Sequence, residues 1–186
     1  MLFGRLGARA LLACVGLGAF PAFATDSLYA GLEVADASFG DPAGDAVIAN
    51  KKGTVTGVVL GYSFDRTFEV EFAQRKASRL IAGMADVSVR YVSRPETATA
   101  IMLQWVRPMN DYVGLGLRAG VVRASRRPGN VFGSGTSTGN SLVLGVTGRL
   151  MLSKNIAIVV GLDRTSDYAN TDIPLTEYRA GIRGYF

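Results

Sequence analysis

The chain has 186 residues, a formal net charge of +5, no histidine and a single cysteine, Cys14. The absence of histidine excludes a Ser-His catalytic triad, and one cysteine cannot form a disulfide within the chain. Nucleic acid is not an expected partner, because no basic helix and no interleaving of aromatic and basic residues occurs. Beyond the amino-terminal region no run of about 18 apolar residues is present, so a membrane crossing would have to use strands.

The amino-terminal residues have the features of a secretory signal. Arg5 and Arg9 form a basic start, residues 11–20 are apolar apart from glycine, and Ala22-Phe23-Ala24 is a small-residue cleavage site. Cys14 would also allow a lipoprotein signal, but Leu12 fits the required position poorly. The predicted organisation is a cleaved signal peptide over 1–24 followed by one domain over 25–186.

Eight later segments alternate apolar residues with polar or small ones at a period of two. In chain order they are Leu28 to Ala37, Val55 to Phe64, Phe68 to Ala77, Thr97 to Val106, Tyr112 to Arg123, Ser141 to Leu152, Ile156 to Thr165 and about Thr176 to Phe186. Their lengths suit tilted transmembrane strands of roughly 9–11 residues, and their charges always fall on one side of the alternation. The pattern predicts an all-β fold, an eight-stranded antiparallel up-and-down transmembrane β-barrel.

The connections between these segments alternate in length. Short turns are predicted at 65–66, 108–111 and 153–154, and longer loops at 38–54, 78–96, 124–140 and 166–175. Short turns on the periplasmic side and long loops outside are typical of outer-membrane barrels, which predicts that both chain termini are periplasmic. Asp86 to Tyr91 also alternates, and we expect it to extend the neighbouring strands above the membrane. Aromatic residues near the short turns predict a periplasmic girdle of Phe64, Phe68, Trp105 and Phe186.

The charged residues on the non-lipid face are five acids and five bases. They are Glu33, Glu69, Glu71, Asp163 and Glu177, and Arg75, Arg118, Arg149, Arg179 and Arg183. Eight strands leave an interior just wide enough for side chains, where unpaired charges would be costly. We therefore predict a lumen plugged by an Arg/Glu network centred on Glu33, Glu71, Arg118, Arg149 and Arg183. The alternative is a narrow gated ion pore in which the pairs exchange partners.

The last nine residues resemble the carboxy-terminal assembly signal of bacterial outer-membrane barrels. Arg179, Gly181 and the terminal Phe186 fit that pattern, whereas Gly184 stands where a hydrophobic residue is expected. The resemblance implies that the barrel assembly machinery of the outer membrane recognises this strand.

Four segments carry a wider resemblance: Gly61-Tyr62-Ser63-Phe64, Phe68 to Phe72, Tyr112 to Gly116, and the last strand. Together they resemble the small eight-stranded outer-membrane barrels, namely the OmpA-type transmembrane domain, the opacity-like surface antigens and the OmpX/Ail-type adhesins. The resemblance implies an outer-membrane location, a monomer and no cofactor. Its surface-antigen members imply host or matrix proteins as partners of the outer loops.

Several functional alternatives follow from the residues. Basic residues near the predicted outer rim are candidate contacts for lipopolysaccharide phosphates: Lys76, Arg79, Arg123, Arg126 and Arg127. We expect no enzymatic activity, since the small-barrel lipid A hydrolases and acyltransferases that the fold resembles would need a histidine. We expect no metal site either, because Asp163, Asp167 and Asp172 suit solvated loop carboxylates. A soluble lipocalin-like ligand-binding barrel, with its apolar face inward, is the structural competitor.

Overall fold

The computed structural model describes residues 27–40, 52–64, 67–78, 82–83, 92–128, 137–166, 168 and 174–186. They form nine strands: β1 (Ser27–Phe39), β2 (Lys52–Ser63), β3 (Phe68–Ser78), β4 (Ala82–Gly83), β5 (Val92–Pro108), β6 (Val113–Pro128), β7 (Ser137–Met151), β8 (Ile156–Thr165) and β9 (Leu175–Tyr185). None of these described residues belongs to a helix that is long and apolar enough to cross a membrane.

Eight of the strands close into an antiparallel barrel. Each long strand pairs with the next along the chain, β3 pairs directly with β5, and β9 returns to pair with β1. The two residues of β4 pair only with Ser93 and Val92, so they lengthen the ladder of β5 without entering the wall. The predicted eight-stranded barrel is therefore confirmed, whereas the expectation for Asp86 to Tyr91 lies outside the described residues.

The strand register fixes the tilt of the barrel wall. Following paired residues once around the barrel from Tyr29 on β1 leads back to β1 at Phe39, ten residues further along. The path passes through Gly61, Glu71, Met102, Gly120, Val143, Thr165 and Leu175. This stagger requires the strands to cross the barrel axis at an angle of roughly 35–45°, and residues far apart in the chain consequently share one level of the lumen.

Three strands exceed the bounds that the apolar alternation predicts by four or five residues at one end, whereas β1, β2 and β3 exceed theirs by one to three. β5, β6 and β7 extend past the expected boundaries at the end of the barrel that carries the long connections, which we call the loop end. The backbone pairing of Ala124 with both Ala98 and Gly139 continues there, although the outward residues are polar. Hydrophobic periodicity detects only the lipid-facing part of a strand, which explains the shorter prediction.

The opposite end, the turn end, is closed by short hydrogen-bonded connections. The backbone N–H of Phe64 donates to Phe68 O at 2.9 Å, and that of Leu152 donates to Ile156 O at 2.9 Å. In the third turn the Asn110 side-chain oxygen accepts from two backbone amides, those of Tyr112 at 2.9 Å and Val113 at 2.7 Å. The rings of Phe64, Phe68 and Trp105 lie exposed on the outer surface at this end.

The two faces of the wall have opposite character. Apolar side chains point outward, and Leu144 keeps 66% of its surface exposed. Charged side chains point inward, and Glu69 and Glu71 have no exposed surface at all. Only a hydrocarbon environment makes such an outer surface favourable, so the soluble lipocalin-like alternative is wrong.

Candidate functional site

The barrel interior brings all ten charged residues of the predicted network together, in two groups. The turn-side cluster comprises Glu69, Glu71, Arg149 and Arg183. Arg149 pairs with Glu69, while Arg183 pairs with Glu71 and lies 3.3 Å from Glu69 through Nη1. Two acids face two bases, so the group is neutral by itself.

Uncharged side chains that the sequence analysis did not single out complete the turn-side cluster. Tyr29 donates its hydroxyl to Glu71 at 3.3 Å, and the Gln104 amide donates to the same oxygen at 3.0 Å. Arg149 donates to the Tyr185 hydroxyl at 3.2 Å, and the Arg183 guanidinium lies 4.8 Å from the centre of the Tyr29 ring. The sequence indicates these uncharged members only through their positions on the inward side of the strand alternation.

The loop-side cluster surrounds one carboxylate with three arginines. Asp163 lies 3.2 Å from Nε of Arg179, 3.5 Å from Nε of Arg118 and 3.7 Å from Nη2 of Arg75. Arg75 also contacts Glu33 through Nε at 2.6 Å and Glu177 through Nη1 at 2.8 Å. Three acids and three bases make this group neutral as well.

The two clusters differ in how completely their polar atoms are satisfied. Among the described side chains, seven of the eight buried polar atoms without a hydrogen-bond partner belong to Arg75, Arg118, Asp163 and Arg179. The exception is the Gln104 oxygen. The turn-side cluster is therefore a plug in which nearly every polar atom is hydrogen-bonded. In the loop-side cluster the charged groups attract one another, but several of their polar atoms lack a hydrogen-bond partner and are available to water.

Inward glycines make room for these long side chains. A Cβ atom at Gly61 would enter the Tyr29 ring, and one at Gly145 would strike the Asp163 carboxylate. At Gly161 a Cβ would lie 2.7 Å from Nη2 of Arg179. Each of these positions faces a named member of the network, so the small residue is required by packing.

The lumen beyond the loop-side cluster is apolar, which the sequence analysis did not predict. Apart from Phe39 and Leu175, most of its inward residues are small or β-branched: Ala35, Ala37, Val55, Ala98, Ala100, Val122, Ala124 and Val143. Tyr168, from the connection between β8 and β9, enters this region and meets the Phe39 ring edge-on at 6.1 Å between centroids. The ion network thus fills the turn-side and middle parts of the barrel, not its whole length.

The outer surface changes from apolar to polar at the loop end. Among the side chains that the structure describes, four cations face outward at this rim, Lys52, Lys76, Arg123 and Arg164, together with one acid, Asp36. The expectation that all charges fall on one side of the alternation is therefore wrong at the rim. Two of the candidate phosphate contacts, Lys76 and Arg123, are therefore exposed at the rim. Arg126 and Arg127 lie on β6, but their side chains are outside the described part, as is Arg79 entirely.

The remaining candidate residues are those of the assembly signal and the aspartates considered as metal ligands. Arg179 points into the lumen on β9, and Gly181 lies against the backbone of Leu32 on the neighbouring β1. Phe186 donates its backbone N–H to Leu28 O at 2.9 Å, which continues the pairing of the two closing strands. Asp163 is buried in the ion network. Asp167 and Asp172 lie outside the described residues, and no metal-ligand group occurs among those that are described.

A closed eight-stranded barrel with an apolar exterior and an ionic interior defines a transmembrane protein of the bacterial outer membrane. The sequence agrees: residues 10–186 match the family described as outer membrane protein beta-barrel domain, and the chain belongs to that family. In such barrels the short turns face the periplasm, so the loop end faces outward. No curated protein matches the chain.

Solved structures share the fold at low sequence identity. Ail, the attachment invasion locus protein of Yersinia pestis in complex with the heparin analogue sucrose octasulfate, is 15% identical with a TM-score of 0.57 over 87% of this chain and 97% of that one. Neisserial surface protein A is 20% identical with a TM-score of 0.57, over 86% and 97%. OprG from Pseudomonas aeruginosa is 12% identical with a TM-score of 0.57, over 88% and 96%.

Proposed function

We propose that this protein is a closed, non-enzymatic surface barrel whose loop-end rim binds the phosphate groups of lipopolysaccharide. The observation that carries the proposal is the outward basic rim, where the described side chains include four cations and one acid at the loop-end edge of the apolar belt. Phosphates of the outer leaflet lie at this depth, and charge-assisted hydrogen bonds to phosphate are among the stronger polar contacts.

The densest part of the rim spans β3, β5 and β6. Lys76 on β3 is paired with Thr97 on β5, and Thr99 is paired with Arg123 on β6. Thr97 and Ser125 are hydrogen-bonded to each other at 2.8 Å between their hydroxyl oxygens. The two cations are two strands apart and are offset by two residues along β5, and the hydroxyl groups of Thr97 and Thr99 lie on the strand between them. This arrangement suits a phosphorylated sugar head group.

A structural neighbour supports a polyanionic sugar as the kind of ligand. Ail was crystallised with sucrose octasulfate, a heparin analogue that carries several anionic groups on a sugar. By analogy, the outer surface of this barrel would contact anionic glycans, either the lipopolysaccharide around it or glycans on a host cell.

The rim is tested by comparing two double variants. Lys76→Gln with Arg123→Gln removes rim cations, whereas Arg107→Gln with Lys154→Gln removes exposed cations at the turn end. We expect the first pair to weaken binding of refolded protein to lipopolysaccharide about three- to tenfold, since exposed charge pairs contribute about 0.2–1 kcal/mol each. The second pair and dephosphorylated lipopolysaccharide serve as controls. Equal affinity of both double variants would contradict the proposal.

Host contact is the part of the proposal that concerns the loops. A variant that lacks residues 128–138 should attach less to host cells or matrix proteins if the loops mediate adhesion. Unchanged attachment would leave lipopolysaccharide binding and structural support as the role.

A narrow gated ion pore is a second candidate, and the incompletely bonded loop-side cluster favours it. Buried polar atoms without partners around Asp163 could be bridged by water, which would shorten the dry part of the lumen. Planar-bilayer recordings of the wild type and Arg118→Ala test this candidate. Silence from both proteins would eliminate it, and a larger conductance of the variant would support a gate.

The absence of enzymatic activity is also a proposal. It rests on the histidine-free sequence, which leaves no general base of the Ser-His type. Release of acyl chains from labelled lipopolysaccharide by pure refolded protein would overturn it.

A further inference from the structure

The apolar part of the lumen contains a small cavity directly beneath Tyr168. Its apolar wall is Val55, Ala77, Ala98, Val122 and Val143. Its polar lining is Arg75, Thr165 and Glu177, so the cavity borders the loop-side ion cluster at one end and the Tyr168 side chain at the other. It measures about 10 Å³, which is room for at most one water molecule.

The residue that fills this region comes from outside the barrel wall. β8 ends at Thr165 and β9 begins at Leu175, and Tyr168 lies on the connection between them. It is nevertheless 7% exposed, and its ring packs edge-on against Phe39. Apart from Phe39 and Leu175, the wall residues of this region are mostly alanines and valines, which are too short to fill the lumen themselves. A phenol ring carried by a connection therefore occupies space that the strands leave open.

Polar groups at the floor of this region suit a hydroxyl group. Arg75 is 6% exposed, and its Nη2 atom has no hydrogen-bond partner, although it lies 3.7 Å from Asp163. Thr165 and Glu177 add a hydroxyl and a carboxylate. An apolar body with one hydroxyl group at its inner end would match this distribution of apolar wall and polar floor.

We propose that the loop half of the lumen is a binding site for a small molecule with one aromatic ring and one hydroxyl group, which binds by displacing Tyr168. The ligand takes the place of the tyrosine ring between the alanine and valine side chains, and its hydroxyl group meets Arg75 or Thr165. The tightly bonded turn-side cluster closes the other end, so the ligand enters and leaves at the loop end. This site is distinct from the lipopolysaccharide rim and does not depend on it.

Nitration of tyrosine in the refolded barrel tests the displacement, with benzyl alcohol as the probe because it has no phenol of its own. Tetranitromethane modifies accessible tyrosines, and peptide mass spectrometry gives the rate at each position. We expect saturating benzyl alcohol to raise the nitration rate of Tyr168 at least about fivefold, because binding and burial of Tyr168 exclude each other. Tyr112, exposed at the turn end, and Tyr29, buried in the turn-side cluster, are internal controls whose rates should not change.

Two variants separate this site from nonspecific uptake into the bilayer. Tyr168→Ala should bind benzyl alcohol more tightly than the wild type, since the competing ring is gone. Val143→Phe fills the space that the ligand would occupy and should abolish the rise in the Tyr168 nitration rate. If Val143→Phe fails to fold, Ala98→Leu serves as the filled variant. An unchanged Tyr168 nitration rate in the wild type, or an equal rise in the filled variant, would overturn the proposal.

Discussion

The guanidinium of Arg118 lies 3.1 Å from the carboxylate of Glu71, and neither side chain has any surface exposed to solvent. Arg118 stands on β6 and Glu71 on β3, with β5 between them. Arg118 also lies 3.5 Å from Asp163, so it is the member that contacts acids of both clusters. Arg183 reaches Glu71 from β9, and one carboxylate therefore ties together three strands.

Replacement of Glu71 by alanine should destabilise the barrel strongly. It would leave Arg118 and Arg183 without a shared carboxylate in a buried site, and breaking a buried ion pair costs about 3–5 kcal/mol. Urea titration of the refolded protein in vesicles, read by gel mobility, measures the loss. The matched control is Asp36→Ala on the outer rim, which should change stability by less than about 0.5 kcal/mol. A similar small change for both variants would contradict the structural role of Glu71.

Gly61→Ala should destabilise the barrel, whereas Gly184→Ala should be tolerated. The added methyl group at Gly61 would lie 2.6 Å from Cε1 of Tyr29, but at Gly184 its nearest neighbour is 3.8 Å away. Overpacking of this kind costs about 1–3 kcal/mol. The same urea titration compares the two alanine variants. Combining Gly61→Ala with Tyr29→Ser should recover part of the loss, and additive effects would show that the clash is not the cause.

An arginine on the lipid face should be costly only at mid-membrane depth. Val146→Arg places a cation in the apolar belt of β7, where its strand partners are Leu117 and Leu162, and should cost about 2–4 kcal/mol of folding free energy, against about 0–1 kcal/mol near the interface. Thr138→Arg, on the same strand and face at the loop-end rim, is the control. Folding yield and urea titration in vesicles measure both. Equal penalties would mean that the assigned membrane boundary is wrong.

Tyr168 should resist ionisation. Burial raises the pKa of its phenol, and the neighbouring carboxylate of Glu177 raises it further, while Arg75 opposes them. The folded state therefore favours the neutral phenol, so its stabilising contribution is complete below pH 10 and is lost as the pH rises through the raised value. Ultraviolet difference spectra of the wild type and Tyr168→Phe should differ only at the most alkaline pH values. A titration of Tyr168 near pH 10 would contradict its burial.

The sequence predicts the strands of the barrel wall and the faces of their residues better than it predicts the side-chain contacts inside the lumen. Alternation along segments such as 141–152 and 156–165 indicates which residues face lipid, because the membrane imposes one requirement on every outward position. It also indicates which charges face inward. It does not indicate that Arg75 meets Glu33, Asp163 and Glu177, since those contacts depend on the ten-residue stagger of the strands and on the packing of long side chains.

For a related reason, the sequence pattern does not reveal the apolar half of the lumen. Alanines at inward positions, such as Ala98 and Ala124, add no charge to the inward face, and the outward residues beside them are polar. The segment therefore looks like the end of a membrane strand when only periodicity is considered. Tyr168 belongs to a connection, where no periodic signal exists, so its place inside the barrel follows only from the three-dimensional structure.

β9, the strand that closes the barrel against β1, supplies Arg179 and Arg183, two of the five arginines of the interior, together with Glu177. Before β9 joins β1, the other strands hold four interior acids and three interior bases. A barrel closed without β9 would therefore enclose one acid more than it has bases, and an unpaired buried charge is costly. The interior charges balance only when β9 joins the wall, so the insertion of this strand and the stability of the barrel are coupled through the interior itself.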